Sequence, residues 1–130
     1  MFRMLFPILL LLPMAGCGKA DADPYDSADP LNCLTIFSAT SGVLHRQANQ
    51  RAVADLNARI LYIAQQHGGP AWLKEVAPQM MRIGAAMEAS QDRTATLKLF
   101  DECKAGQESD ATYRAAAPGL RSMMTEPNPN

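Results

Sequence analysis

Residues 29–44 read DPLNCLTIFSATSGVL and predict the first helix of the fold. Asp29 is a residue type that caps helix N-termini, and Pro30 suits the first helical position, where its missing N–H costs nothing. From there, apolar and small residues recur at helical spacing and fall on one face. They are Cys33, Ile36, Phe37, Thr40 and Leu44. This face is expected to pack against a hydrophobic core.

A second apolar stripe follows and ends before Gly68, Gly69 and Pro70, a combination that stops a helix. Its members are Val53, Leu56, Ile60, Ile63 and Ala64. On one continuous helix the two stripes would point about 160° apart, given the 3.6-residue turn of an α-helix. Because one straight helix in a small domain cannot bury both sides equally, we predict a break between His45 and Gln50.

The second half of the chain contains two more helical stripes. Pro70 opens a short helical turn that holds Trp72 and Leu73, and Pro78 is expected to restart a helix. The third stripe consists of Met80, Ile83, Ala86 and Met87, and the fourth of Leu97, Phe100 and Cys103. Either Ser90 or Asp92 can cap the fourth helix, and Gly106 follows its last turn.

These patterns together predict an all-α fold, a small up-down bundle of about four helices pinned by one disulfide. No stretch shows the sustained alternation of a strand. The helical domain is expected to cover residues 30–106. The acidic residues 17–29 should form an extended tether and the polar, Pro-ended residues 107–130 a flexible C-terminal tail.

The chain has three cysteines, Cys17, Cys33 and Cys103. An odd number leaves one thiol over in an exported protein. If Cys17 is lipidated or removed, we predict a disulfide between Cys33 and Cys103, with two unpaired buried cysteines as the alternative. Consecutive helices run antiparallel, so an even number of helices brings the start of the first and the end of the last to one pole.

The N-terminus has the organisation of an export signal over residues 1–16. Arg3 precedes the apolar run MLFPILLLLPM (residues 4–14), which at about 11 residues is too short to span a bilayer. The stretch Met14-Ala15-Gly16-Cys17 resembles the lipobox of bacterial lipoproteins, apart from Met14, where that family usually has leucine. The resemblance implies acylation of Cys17, which would anchor the chain in a lipid bilayer, and cleavage before it.

The residue after the lipobox bears on the destination of the chain. In bacterial lipoproteins an Asp after the cysteine retains the protein in the inner membrane. Here Gly18 follows instead, which implies the periplasmic face of the outer membrane. The alternative is an ordinary cleavage after Ala20 or Ala22, which would release a soluble periplasmic protein without Cys17.

Histidine, methionine and charged residues are the candidates for metal binding, pH sensing or catalysis. His67 is expected to be a helix-end histidine rather than a ligand or pH sensor, and the methionines to be core filling rather than copper or haem ligands. The spacings Arg51/Asp55/Arg59 and Lys98/Glu102 predict exposed helix pairs. No catalytic, cofactor or metal site is predicted, and the chain is not expected to be an enzyme.

Two functional hypotheses follow. The first is a non-catalytic, lipid-anchored envelope protein that acts as an accessory or protein-binding module. The second is a soluble periplasmic small-molecule-binding or stress-chaperone-like protein, similar only in architecture to the acid-activated periplasmic chaperones. The net charge of −1 and the lack of a basic stripe argue against a nucleic-acid partner. Trp72 is expected in the core, with a binding groove as the alternative.

Overall fold

The computed structural model of the protein describes residues 22–125. This range contains five α-helices and no strand. They are α1 Pro30–Arg46, α2 Gln50–His67, α3 Pro70–Ser90, α4 Arg93–Glu108 and α5 Ala111–Thr125. None of these helices combines the length and apolar character needed to cross a membrane. The all-α prediction is confirmed, and a fifth helix is added to the predicted four.

Polar caps and glycines set the ends of the first two helices. The Asp29 side chain accepts from the N–H of Leu31 at 2.9 Å, as expected of an N-cap. The predicted break is confirmed, since α1 ends at Arg46 and Asn49 caps α2. Helix α2 ends where Gly68 has φ +125°, a conformation that favours glycine.

Helix α3 differs from its prediction, because it continues through Pro78 without a restart. Val76 before the proline and Met87 after it are both buried in the same core. The free energy gained by burying these two side chains outweighs the cost of the missing hydrogen bond, which Pro78 cannot donate to the carbonyl of Lys74. Pro78 is exposed, so water can reach that carbonyl.

Helix α1 lies at the centre of the main core. All six residues from Asn32 to Phe37 are buried, which covers the entire circumference of the helix. Helices α2, α3 and α4 each contact α1. The single stripe predicted for α1 therefore missed Leu34, which is fully buried.

The Cys33–Cys103 disulfide is present and confirms the predicted pairing, with Cα atoms 5.5 Å apart. One turn later in α1 and one turn earlier in α4, the rings of Phe37 and Phe100 meet edge to face with centroids 5.8 Å apart. Later residues of α1 therefore meet earlier residues of α4, so the two helices run antiparallel. We call the end of the domain where α1 begins and α4 ends the disulfide pole.

The described residues contradict the prediction that residues 107–130 form a flexible tail, because α4 continues to Glu108 and residues 111–125 form helix α5. Its buried residues Tyr113, Ala117 and Leu120 recur at helical spacing and form a second small core with Ala58 and Tyr62 of α2. The ring centroids of Tyr62 and Tyr113 are 5.2 Å apart, and Asp55, earlier in α2, pairs with Arg121, later in α5, at 3.4 Å. Helix α5 is therefore packed antiparallel along α2.

The described part of the predicted tether, residues 22–29, is also folded against the domain. The side-chain amide of Asn32 donates to the backbone oxygens of Asp23 and Asp26 at 2.8 and 3.0 Å. The hydroxyls of Tyr25 and Ser90 form a hydrogen bond that ties this segment to the last turn of α3. The aspartates cap local turns here, so the prediction of an extended tether is wrong from residue 22 onward.

Candidate functional site

The disulfide forms part of the wall of a small cleft at the disulfide pole. The cleft has a volume of about 200 Å³ and lies between the turn at Ser27, the end of α2 and the end of α4. Cys33 is 8% exposed and Cys103 is 3% exposed. Both sulfurs are thus shielded and bonded to each other. Cys17, the predicted lipidation site, lies outside the described residues.

A buried arginine joins α2 to α4. Arg59 is only 4% exposed. Its Nε donates to Asp55 Oδ2 at 3.0 Å and its Nη2 to Glu108 Oε1 at 2.8 Å. Its Nη1 donates to Gln107 Oε1 at 3.2 Å, and the amide of Gln107 donates back to the Arg59 carbonyl at 3.2 Å. We call these four residues and Arg121, which donates to Asp55, the Arg59 cluster.

Hydrogen bonding favours the charged form of Arg59. Burial disfavours the charge on Arg59, but the hydrogen bonds to Asp55 and Glu108 outweigh it and raise the pKa of the guanidinium. The Arg59 Cζ also lies 5.3 Å from the centre of the Tyr113 ring. Burial raises the pKa of Tyr113, whose hydroxyl is buried without a hydrogen-bond partner.

A second polar contact closes the turn between α4 and α5. The Tyr62 hydroxyl donates to Asp110 Oδ2 at 2.8 Å. This bond, with the backbone N–H of Thr112, lowers the pKa of Asp110. Tyr62, Asp110 and the Arg59 cluster together fasten α4 and α5 to α2. Such contacts hold the helices in register.

Three predicted exposed ion pairs are corrected. Asp55 does pair with Arg59, but the pair is not exposed, because α4 and α5 cover it. Neither Arg51 with Asp55 nor Lys98 with Glu102 forms an ion pair among the described residues. Sequence spacing along α2 could not reveal the partners of Arg59, since Gln107 and Glu108 are 48 and 49 residues away.

The histidine and tryptophan singled out in the sequence lie against each other. His67 is in the last turn of α2, as predicted, and it is exposed. Its ring centre is 4.6 Å from that of Trp72. Trp72 is half-buried and packs against the main core. It therefore covers the core with one side and meets His67 with another.

The methionines of α3 lie in different environments. Met87 is buried in the main core and Met80 packs against it, which matches the prediction of core filling. Met81 differs, because it is 76% exposed. Across residues 22–125, no three His, Cys, Asp or Glu side chains are grouped closely enough to hold a metal ion.

An open groove of about 600 Å³ separates the first half of α2 from the second half of α5. Its lining includes Asn49, Arg51, Ala54, Asp55, Pro118 and Arg121. Sequence analysis missed this groove because it treated residues 111–125 as tail. The apolar spacing of Tyr113, Ala117 and Leu120 was the signal that could have revealed it.

The chain was compared with protein-family models, with curated proteins and with solved structures, and none of the three comparisons gives a match.

Proposed function

We propose that the protein is a lipid-anchored helical protein of the cell envelope, held by acyl chains on Cys17 at the periplasmic face of the outer membrane. It acts there as a non-catalytic accessory or protein-binding module. One observation carries the proposal: Cys33 and Cys103 are bonded to each other. Disulfides of this kind persist in oxidising compartments, and the pairing leaves Cys17, in its lipobox-type setting, as the one remaining cysteine of three.

The folded N-terminal segment supports a position close to the membrane. Asp23 is already fastened to the domain through Asn32. Six residue steps separate Cys17 from Asp23, and a fully extended chain covers at most about 3.5 Å per residue. An acyl group on Cys17 would thus hold the domain within about 20 Å of the bilayer surface. Two or three acyl chains suffice for lasting attachment.

An exposed side of α3 supports protein binding. Four residues spaced four apart share one side of this helix and carry no charge: Ala77, Met81, Ala85 and Ala89. Met81 is 76% exposed, and methionine is a residue type enriched at protein–protein interfaces. Small residues beside one large apolar side chain allow a partner helix to approach closely.

The test is the intact mass of the protein purified from membranes of its native host, with and without reduction and alkylation. We expect a chain that begins at acylated Cys17 and has no free thiol before reduction. A Cys17→Ser variant is expected to leave the membrane fraction, while a Cys33→Ser/Cys103→Ser variant stays in it. An unmodified chain beginning near Asp21 or Asp23 would overturn the proposal.

The alternative, a soluble periplasmic protein of the small-molecule-binding or stress-chaperone type, is favoured by the way α5 is attached. Helix α5 lies outside the disulfide loop, and its polar attachment to α2 involves Asp55, which pairs with Arg121, and Asp110, which binds Tyr62 just before α5 begins. Protonating these carboxylates would loosen it and uncover the apolar residues of α2 beneath. Binding of a hydrophobic dye near pH 3, together with protection of an aggregating client, would support this alternative; absence of both would remove it.

A further inference from the structure

The groove between α2 and α5 has the size and lining of a small-molecule site. Its volume of about 600 Å³ falls within the range of roughly 300–1,000 Å³ usual for such sites. Ala52, Ala54 and Pro118 give it an apolar surface. Polar groups lie at its edges, a combination that suits a ligand with an apolar body and one polar end.

Arg51, the first charged group of the groove, lies at a helix end where a positive charge is unfavourable. It lies in the first turn of α2, where the helix dipole is positive and the N–H groups are only partly satisfied. The first turn holds no acidic residue, and Arg51 makes no ion pair within residues 22–125. An anion in the groove would neutralise both the guanidinium and the helix end.

The second charged group, Arg121, faces the groove from α5. Its Nη1 lies 3.4 Å from Asp55 Oδ1, and its side chain remains 43% exposed. Asp55 is also held by Arg59 at 3.0 Å, so its charge is shared between two arginines. The groove thus has two arginines and one carboxylate. Arg51 precedes Asp55 by four residues, so it lies about one helical turn from the carboxylate that Arg121 contacts.

We propose that this groove binds a small anionic amphiphile, a molecule with a carboxylate or phosphate group joined to an apolar body. The anionic group lies between Arg51 and Arg121, and the apolar body covers Ala54 and Pro118. This inference goes beyond the proposed function and does not depend on the lipid anchor. Both a free fatty acid and a phosphorylated lipid fragment share this chemistry.

The test titrates the purified full chain with three probes, decanoate, decyl phosphate and decylammonium, each below its micelle concentration. Backbone amide chemical shifts locate the binding and give a Kd. We expect saturable shifts at residues 49–55 and 118–125 with at least one anionic probe and not with decylammonium. Decanoate alone would identify a carboxylate site, and decyl phosphate alone a phosphate site.

Four variants make the result specific. Arg51→Gln with Arg121→Gln should weaken binding of the anionic probe by at least tenfold, as expected for lost charge-assisted hydrogen bonds. Arg51→Gln alone should weaken it several-fold without disturbing any ion pair of the fold. The matched control Arg82→Gln, an exposed arginine of α3, should leave the Kd unchanged. Ala52→Phe, which fills the groove, should abolish binding.

Two results would overturn the proposal. The first is the absence of saturable shifts at the groove with both anionic probes. The second is equal binding of decylammonium or equal weakening by Arg82→Gln.

Discussion

Replacing Arg59 by methionine removes the charge at the centre of the Arg59 cluster and keeps most of the aliphatic volume of the side chain. The arginine donates one hydrogen bond to the Asp55 carboxylate at 3.0 Å, one to the Glu108 carboxylate at 2.8 Å and one to the uncharged amide oxygen of Gln107 at 3.2 Å. Hydrogen bonds to charged groups contribute about 1.5–3 kcal/mol each to the free energy of unfolding.

The solvent exposure of Glu108 and Asp55 makes the total loss smaller than the sum of these hydrogen-bond contributions. The Glu108 side chain is 56% exposed and can regain water, whereas Asp55 is 28% exposed and keeps Arg121 as its partner. We therefore expect Arg59→Met to lower the free energy of unfolding by about 3 kcal/mol, the lower end of the range for breaking a buried pair. This value includes the loss of the cation–π contact between Arg59 and the Tyr113 ring.

Urea unfolding followed by circular dichroism measures this loss, with the disulfide intact in every sample. The matched control is Arg51→Met, on the same helix but exposed and unpaired within residues 22–125. The control should change the free energy of unfolding by less than about 0.5 kcal/mol. In hydrogen exchange, α5 of Arg59→Met should lose protection before α1 does. A loss below about 1 kcal/mol, or equal losses in both variants, would refute the role assigned to Arg59.

Three further predictions concern the disulfide and the tyrosines. Replacing Cys33 and Cys103 by serine should lower the free energy of unfolding by about 4 kcal/mol in urea, because the bridge spans 70 residues; a loss under about 1 kcal/mol would show that it adds little. Tyr113→Phe removes a buried hydroxyl without a partner and should leave stability unchanged or raise it by up to about 1 kcal/mol, whereas Tyr62→Phe, which loses its bond to Asp110, should lower it by about 1 kcal/mol; the reverse order in thermal unfolding would contradict both. Because the pKa of Asp110 is lowered from 3.8, its contribution is present above that unfolded-state value and is lost as the pH falls through the folded-state pKa, so the gap between wild type and Tyr62→Phe should shrink in acid; a constant gap would show that Asp110 is not involved.

Local patterns in the sequence predicted the first half of the fold well. The break between α1 and α2 followed from the phase of two apolar stripes, and the caps Asp29 and Asp92 act as their residue types suggest. The disulfide followed from the number of cysteines and the pairing of helix ends. These features depend on residues close in sequence or on the number of cysteines.

Features that depend on tertiary contacts were missed. Pro78 reads as a helix break, yet the core contacts on both sides of it keep α3 continuous. The polar, Pro-ended character of residues 107–130 similarly led to the prediction of a tail, although Tyr113 and Leu120 of α5 pack on α2. Arg59 looked like one half of an exposed pair, because nothing in its local sequence indicates that α4 and α5 cover it.

The disulfide also determines how the protein would respond to tension. A force applied between residues 22 and 125 enters α1 near its start, crosses the sulfur–sulfur bond to α4, and leaves through α5. The 70-residue separation of the two cysteines, about 240 Å of extended chain, is thereby excluded from stretching. Only the segments on either side of this covalent ring can be drawn out, so α2, α3 and most of α1 would remain unextended while a partner pulls on α5.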